Sequence, residues 1–243
     1  MTQTMIEATE IAMTLGEGAA RVDALKGINL SLKGGELTLL MGPSGSGKTT
    51  LLSVLGCMLS PTGGTVQIRG RSTTGLNAEQ LAEVRRENVG FVFQSYHLFP
   101  TLTAAENVRL ALDVRGDRSL EAREKANKAL ATVGLAHKAN AFPRALSGGE
   151  QQRVAVARAI VGDASVILAD EPTAALDSEN GQAVMTVLAE IAKDPARAMF
   201  IVTHDPRIMP FADRILRIED GRIVSDQRRG ANVSTVRTLK YAS

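Results

Sequence analysis

The chain is poor in several residue types, and each scarcity excludes a class of protein. Its 243 residues include one cysteine, no tryptophan and only 3% aromatic residues. The single cysteine rules out a disulfide within the chain and is compatible with a reducing compartment. The scarcity of rings argues against a single-stranded nucleic-acid platform, because such surfaces stack bases on aromatic side chains. We expect Cys57 to be a small core residue rather than a nucleophile.

The chain also lacks an excess of one charge and a long apolar run. It has 28 basic and 26 acidic residues, a net charge of +2, which is too balanced for a dedicated nucleic-acid binder. No apolar run approaches the length of a membrane span. The N-terminus has no basic stretch followed by an apolar core, the mark of a signal peptide. We expect a cytoplasmic protein that has no nucleic-acid partner and reaches a membrane only through another protein.

A glycine-rich stretch fits the phosphate-binding pattern G-x-x-x-x-G-K-[ST], the P-loop. It lies between an apolar run at 37–41, read as a strand, and a helix-compatible run at 49–59. Its residues are Gly42, Pro43, Ser44, Gly45, Ser46, Gly47, Lys48, Thr49 and Thr50. The glycines let the backbone wrap closely around an anion, with amides and a helix N-terminus facing it. Lys48 can reach the β- and γ-phosphates, and the Thr49 hydroxyl can ligate Mg²⁺.

A carboxylate pair follows a second apolar run. Asp170 and Glu171 come directly after residues 165–169, which read as a buried strand. Ligands of open α/β sheets bind at the carboxyl ends of the strands. Asp170 can therefore hold Mg²⁺ opposite Thr49, and Glu171 could orient and deprotonate an attacking water.

Residues 146–153, Leu-Ser-Gly-Gly-Glu-Gln-Gln-Arg, allow two interpretations. Ser147 and Glu150 fit a capping box that begins a helix reaching Val161. The same geometry would present amides at a helix N-terminus to an anion. Capping alone does not explain Gly148 and Gly149, because glycine in the first turn lowers helix stability.

The order of strand-like and helical segments predicts an α/β fold with a mostly parallel sheet, a P-loop NTPase core. Strands before the P-loop predict an antiparallel β edge on that sheet. Residues 95–161 are helical in pattern and read as an insertion between two strands. We expect one domain, comprising an α/β core at 1–94 and 162–226, a helical subdomain at 95–161 and a flexible basic tail at 227–243.

Taken in order and spacing, these motifs resemble the ATPase subunits of ABC transporters over roughly residues 5 to 225. The stretches that carry the resemblance are 42–49, Gln94, 146–153, 166–171, 174–177 and His204. Within that family the chain is similar to the group that drives lipoprotein release, macrolide export and glycolipid export. The resemblance implies the ABC ATPase fold and ATP hydrolysis coupled to transmembrane transport.

The resemblance also implies that the working unit contains a second copy of the chain. Ser147, Gly148 and Gly149 would bind the γ-phosphate of ATP held in the P-loop of that copy. The two copies would close head to tail over two ATP molecules. Asp177 would lie at the seam between them.

Further catalytic roles are implied by position. Glu171 would be the general base, and Asp170 would serve Mg²⁺. His204 would contact the γ-phosphate and position Glu171. Gln94 would sense Mg²⁺ and the attacking water, and Lys48 would neutralise phosphate charge.

The implied partners are an integral membrane permease and a periplasmic membrane-fusion protein, with the chain peripheral on the inner face of the cell membrane. Residues 95–102 are more apolar than a surface loop requires, so we expect them to line the groove that receives the permease's coupling helix. One alternative is a mechanical ATPase on a membrane partner that moves no substrate, as in cell-division relatives. Another is a soluble ABC ATPase of DNA repair or translation, although such proteins usually carry two motif sets, a zinc insertion or a long coiled coil.

The chain departs from the family's pattern at two places, mildly at Ala174, where Ser is frequent, and more clearly before the P-loop. The family usually has an aromatic residue before the P-loop that stacks on adenine, but residues 13–21 contain neither Tyr nor Phe. Leu15 is the nearest candidate. We expect adenine to rest on aliphatic surface instead, for example on Leu15 with Val22.

Overall fold

The computed structural model describes residues 3–229, which form two sheets and six helices. The strands are β1 (Thr4–Leu15), β2 (Val22–Lys33), β3 (Glu36–Met41), β4 (Gly63–Ile68), β5 (Arg71–Ser72), β6 (Val89–Val92), β7 (Val166–Asp170), β8 (Ala198–Thr203), β9 (Arg214–Glu219) and β10 (Arg222–Arg228). The helices are α1 (Lys48–Leu55), α2 (Ala78–Asn88), α3 (Ala104–Val114), α4 (Ala122–Thr132), α5 (Gly148–Ile160) and α6 (Ser178–Ala192).

The larger sheet has six strands in the order β10-β9-β3-β8-β7-β6. Its strands run parallel except for β10, which pairs antiparallel with β9. Every residue of β3 and β8 is buried, because elements cover both faces of this sheet. The predicted fold class, a mostly parallel sheet with an antiparallel edge, is confirmed.

The strands that precede the P-loop do not extend this sheet, contrary to the predicted position of the antiparallel edge. They form a separate antiparallel sheet in the order β2-β1-β4-β5. Apolar residues on one face of it, such as Ile6 and Ile11, share a hydrophobic core with Leu51 and Leu52 of α1. An amphipathic sheet needs a layer to cover its apolar face, so it packs across the core sheet rather than lengthening it.

Helix α1 is shorter than the predicted run to Leu59. It ends at Leu55 with Gly56 as its C-cap, and Cys57 then adopts a left-handed backbone with φ of 56°. Cys57 therefore follows the helix rather than lying on it. It is a core residue as expected, and burial raises the pKa of its thiol to about 11, which makes it a poor nucleophile.

The segment between β6 and β7 is helical, as the sequence predicts. Helices α3, α4 and α5 pack together through buried residues that include Val108, Leu130 and Val154. Among residues 3–229, no helix combines the length and the apolar character that crossing a bilayer requires.

The predicted start of the tail at residue 227 is too early. Gln227 and Arg228 pair with Ile215 and Arg214 in the ladder between β10 and β9. Side-chain charges hold this strand, since Arg214 contacts Asp226 at 2.6 Å. The strand ends in the polar run Ser-Asp-Gln-Arg, so the pattern of its second half resembles that of a polar tail. The rest of the predicted tail, 230–243, lies outside the described residues.

Candidate nucleotide site

A cleft with a volume of about 870 Å³ opens at the carboxyl ends of the core strands. It brings together most of the residues that the sequence predicted. Its lining includes Ser44, Gly45, Gly47, Lys48, Thr49, Thr50, Gln94, Glu171 and His204. The predicted residues that do not line it are Gly42, Pro43, Ser46, Ser147, Gly148, Gly149, Asp170 and Asp177.

Glycine is needed at three P-loop positions for different structural reasons. Gly45 has a φ of +78°, a left-handed conformation that favours glycine. At Gly42 a Cβ would lie 2.2 Å from the carbonyl oxygen of Ile218, and at Gly47 it would lie 2.5 Å from that of Ala24. Close packing of the loop against β9 and β2 therefore requires glycine at two of the three positions.

The Lys48 side chain lies across the P-loop. Its ammonium group donates to the carbonyl oxygens of Gly42, at 2.9 Å, and Pro43, at 2.8 Å. Ser46 is buried, and among the described residues its hydroxyl has no hydrogen-bond partner. These contacts place a positive charge beside backbone that curves around the cleft, an arrangement suited to phosphate.

Thr49 and Asp170 face each other at the edge of the sheet. The Thr49 hydroxyl donates to the Asp170 carboxylate, with its oxygen 3.3 Å from Oδ2. Burial raises the pKa of Asp170, and the nearby Glu171 raises it further, against the opposing effects of Thr49 and Lys48. A cation at this point would relieve the cost of the buried charge.

The oxygen atoms that Thr49, Asp170 and Gln94 offer are of the kind that Mg²⁺ binds. Within residues 3–229 no group of three or more His, Cys, Asp or Glu residues is arranged to hold a metal. Mg²⁺ commonly binds through one or two carboxylates together with substrate phosphates. The Thr49 hydroxyl, the Asp170 carboxylate that it contacts and the amide oxygen of Gln94, which lines the cleft with Thr49, fit that mode of binding.

Glu171 is held at the end of β7 by the end of β8. Its Oε1 accepts from the backbone amide of His204 at 3.1 Å and lies 2.6 Å from Nδ1 of the same residue. Its Oε2 accepts from the hydroxyl of Thr203 at 3.0 Å. The backbone of Glu171 is left-handed, with φ of 47°, an uncommon conformation for a residue with a side chain. The carboxylate therefore points into the cleft in a defined orientation.

Thr203 is a site residue that the sequence reasoning missed. It is fully buried, and besides donating to Glu171 its hydroxyl accepts from the backbone amide of Asp205 at 3.0 Å. The available signal was a hydroxyl at the last position of a buried strand, immediately before His204.

The predicted capping box at the start of α5 is present. The Ser147 hydroxyl accepts from the amide of Glu150 at 3.2 Å, and the Glu150 carboxylate accepts from the amide of Ser147 at 2.8 Å. That backbone hydrogen bond from Ser147 holds the pKa of Glu150 below its ordinary value. The first interpretation of this motif is thus correct for Ser147 and Glu150.

Packing inside the chain explains Gly149, which capping left unexplained. A Cβ at this position would lie 2.4 Å from Oδ1 of Asn180 in α6. Asn180 in turn donates its backbone amide, at 2.9 Å, and its side-chain amide, at 2.7 Å, to Asp177, the N-cap of α6. These hydrogen bonds lower the pKa of Asp177. Asn180, which the sequence reasoning did not single out, therefore links the start of α5 to Asp177.

Strand, phosphate loop, helix and a strand-end carboxylate pair in one cleft define a P-loop nucleoside triphosphatase. A family profile described as "ABC transporter" matches residues 25–174. The chain belongs to the ABC transporter family and is an ATP-binding cassette that hydrolyses ATP. The predicted resemblance is confirmed.

The most similar curated relatives include proteins named macrolide export ATP-binding/permease protein MacB. That of Bradyrhizobium diazoefficiens is 41% identical over 235 residues, which cover 97% of this chain and 36% of that protein. That of Rhodopseudomonas palustris is 45% identical over 210 residues, covering 86% of this chain and 32% of that protein. The chain spans about a third of the length of these relatives.

Solved structures agree with the fold. A dimeric, post-hydrolysis structure of the ATP-binding cassette MJ0796 bound to ADP and Pi has a TM-score of 0.84 and 40% identity, covering 93% of this chain and 100% of that one. The cbiO1 protein of Clostridium perfringens, part of the transporter complex cbiONQ, has a TM-score of 0.82 and 28% identity, covering 93% and 89% of the two chains.

Proposed function

We propose that this chain works as a head-to-tail homodimer that hydrolyses ATP to drive an inner-membrane permease, and that the transporter exports lipid, lipoprotein or drug-like cargo. The observation that carries the proposal is that Lys48, Glu171 and His204 line one cleft, together with Thr49, whose hydroxyl donates to Asp170. The macrolide-export names of its relatives support export as the direction.

Within one chain, the cleft has the parts that phosphoryl transfer needs. Backbone amides of 42–50 and the Lys48 ammonium bind the phosphates. Thr49, Asp170 and Gln94 would hold Mg²⁺, which supplies charge neutralisation on the phosphate oxygens. Glu171 orients the attacking water and accepts its proton, while His204 contacts the γ-phosphate and keeps Glu171 in place.

A second copy completes the site in this proposal. Ser147 is exposed at the start of α5, outside the chain's own cleft, as is Asp177 at the start of α6. Ser147, Gly148 and Gly149 would therefore meet the γ-phosphate bound by the other protomer, where the helix N-terminus favours an anion. The dimer of the cassette MJ0796 supports this arrangement.

A groove of about 500 Å³ between α2 and α3 supports docking of a permease helix. Its floor includes the stacked rings of Phe91 and Phe93, whose centroids are 5.5 Å apart. Arg85, Arg86, Arg115 and Arg158 line it, and no carboxylate is among its described lining residues. This composition suits an amphipathic helix that carries acidic residues. Of the predicted groove segment 95–102, only His97 lines it. The membrane-fusion partner and the position on the inner face of the membrane remain predictions.

The glutamate tests the enzymatic proposal. We expect Glu171→Gln to bind ATP, to form a stable dimer with it and to lose hydrolysis, because the amide cannot accept the proton of the attacking water. Size-exclusion chromatography with ATP and a phosphate-release assay measure the two effects.

Glu179→Gln is a matched control, since Glu179 is an exposed carboxylate in the first turn of α6. It should hydrolyse ATP at the wild-type rate. A fully active Glu171→Gln protein would contradict the assignment of the base, and an inactive monomeric one in ATP would contradict the dimer.

The alternatives are less well supported. The relatives are named as export ATP-binding/permease proteins, which does not favour a soluble ATPase of DNA repair or translation. A mechanical ATPase on a membrane partner would use the same site, and a transport assay with the co-purified permease separates the two.

A further inference from the structure

Arg207 connects two segments that are distant in sequence. It lies in the 3-10 turn at Pro206–Phe211, which directly follows Asp205. Its guanidinium Nη1 donates to the Ser178 hydroxyl at 2.8 Å. Ser178 is the first residue of α6 and comes directly after Asp177, the N-cap of that helix. Arg207 therefore reaches from the chain that leaves β8 to the start of α6.

The same guanidinium group also holds Asp205. Its Nε donates to Oδ1 at 2.9 Å and to Oδ2 at 3.0 Å, and its Nη2 lies 2.8 Å from Oδ2. The side-chain hydrogen bond from Arg207 holds the pKa of Asp205 below its ordinary value. A planar guanidinium fork holds two acceptors in one fixed geometry, which the point charge of a lysine does not. We call the contacts of Arg207 with Asp205 and Ser178 the arginine bridge.

Asp205 is in turn linked to the carboxylate of Glu171. The backbone amide of Asp205 donates to the Thr203 hydroxyl at 3.0 Å, and that hydroxyl donates to Oε2 of Glu171 at 3.0 Å. With the arginine bridge, these hydrogen bonds form a continuous path from Glu171 to Ser178. A shift of the start of α6 would therefore act on the carboxylate that orients the attacking water.

A small cavity lies beside the arginine bridge. Its volume is about 150 Å³, and both segments line it, with Thr173 and Ser178 from one and Asp205 and Ile208 from the other. The Thr173 hydroxyl is buried, and no other described residue offers it a hydrogen-bond partner. Protein interiors are close-packed, so a void leaves the distance between two segments less constrained by van der Waals contact. The arginine bridge spans this weakly packed place.

The bridge suits positioning better than stabilisation. The Arg207 side chain is 61% exposed, and exposed ion pairs contribute little to the free energy of unfolding. Its several short hydrogen bonds nevertheless define how the turn and the helix start lie relative to each other. Loss of the bridge should therefore change the geometry of the catalytic end of the cleft more than the stability of the chain.

We propose that Arg207 is a positioning residue that ties the start of α6 to the turn after β8, so that closure of the dimer seam at Asp177 sets the orientation of Glu171. This inference rests on the proposed head-to-tail dimer. It adds Arg207 and Ser178 to the residues on which hydrolysis depends, although neither touches the nucleotide in this proposal.

Ser178→Ala tests the link between the two segments, because it leaves the pair of Arg207 and Asp205 intact. We expect kcat for ATP to fall about fivefold while KM stays within about twofold, since the phosphate contacts are unchanged. Ser178→Thr keeps the hydroxyl and should retain most of the wild-type kcat. In the Glu171→Gln background, Ser178→Ala should still form the dimer with ATP, and loss of that dimer would contradict a role confined to orientation.

A double-mutant cycle tests whether the two side chains act together. Arg207→Ala alone should also lower kcat about fivefold. Once Arg207 is alanine, adding Ser178→Ala should have no further effect, because its partner is already absent. A further loss of about fivefold would show that Ser178 acts by another route and would overturn the bridge.

Arg118→Ala is the control, since Arg118 is an exposed arginine between α3 and α4 and lies outside the cleft. It should keep the wild-type kcat and KM. Wild-type kcat in both Ser178→Ala and Arg207→Ala would overturn the proposal, and Ser178→Ala alone decides it if Arg207→Ala folds poorly. A wild-type chain that neither hydrolyses ATP nor dimerises would instead overturn the proposed function, so the two failures are distinguishable.

Discussion

Thr203 shows how a single buried hydroxyl organises the catalytic end of the cleft. It donates to Glu171 and accepts from the amide of Asp205, so one side chain connects the ends of β7 and β8. His204 holds the other oxygen of the same carboxylate. Glu171 is thus positioned from two sides, which suits a base that must meet a water in one geometry.

At the scale of the single residue, we predict that Thr203→Val lowers kcat for ATP about tenfold while KM stays within about twofold. Valine has nearly the same shape but cannot donate, so the carboxylate loses the hydrogen bond to its Oε2 without loss of phosphate contacts. Steady-state kinetics and equilibrium nucleotide binding measure the split.

Thr203→Ser provides the control, because it keeps the hydroxyl and should restore most of kcat. A Thr203→Val protein with wild-type kcat, or a serine variant as slow as the valine one, would show that the hydroxyl does not position Glu171.

At the scale of an element, the start of α5 serves stability and the proposed dimer together. The capping box between Ser147 and Glu150 begins the helix, and Gly149 lets it pack on Asn180 of α6. Lys138 lies 3.4 Å from the Glu150 carboxylate and adds a favourable charge. The exposed Ser147 is thus held on a helix end whose geometry the chain itself maintains.

The depressed pKa of Glu150 makes this helix start sensitive to acid. A carboxylate whose folded pKa lies below its unfolded value of 4.5 contributes stability above that pH and loses it as pH falls through the folded pKa. We predict that Glu150→Gln flattens the acid limb of the stability curve, because glutamine does not titrate. Urea denaturation at a series of pH values between about 3 and 7 measures the free energy of unfolding.

Glu121→Gln is the comparison. Glu121 is exposed at the start of α4, and among the described residues its carboxylate accepts no hydrogen bond. Its curve should follow that of the wild type. Identical acid limbs for Glu150→Gln and the wild type would contradict the prediction.

At the scale of the whole molecule, one loop joins the nucleotide cleft to the arginine-lined groove. Gln94 lines the cleft and His97 lines the groove. The backbone of this loop is strained at Tyr96 and at His97 itself, which have φ of 58° and 49°. Arg158 holds both of their carbonyl oxygens, at 2.7 Å and 2.5 Å. A partner in the groove would therefore contact the same loop that reaches the nucleotide.

The neighbouring residues Leu98 and Phe99 differ in their suitability as probes. Leu98 packs against the core of the helical segment, so a charge there would destabilise the fold. Phe99 is 51% exposed, and the buried Asn107 holds its backbone at both the amide and the carbonyl. Of these two residues, Phe99 is the sound test of the expected docking role for residues 95–102.

We predict that Phe99→Glu abolishes ATP-driven transport by the complex with its permease, while basal ATPase activity of the isolated chain stays within about twofold. The reason is that a charge would disrupt an apolar contact with the partner and leave the cleft intact. Transport in proteoliposomes and phosphate release measure the two activities. Leu120→Glu, on a fully exposed side chain, should transport normally. Phe99 does not line the arginine-lined groove, so normal transport by Phe99→Glu would remove residues 98–102 from the docking surface and leave the groove as the docking site.

The sequence by itself determined the phosphate loop, the carboxylate pair, the capping box and the order of strands and helices. These features depend on residues that are neighbours in the chain, so their chemistry is visible in short patterns. The tertiary structure alone decided that β1 and β2 form a second sheet, that Asn180 packs on Gly149 and that Thr203 holds Glu171. Leu15 and Val22, which the sequence analysis named together, are cross-strand partners that line the cleft. The contacts of Gly149 with Asn180 and of Glu171 with Thr203 join segments distant in sequence, and packing of the complete chain selects such contacts rather than any local preference.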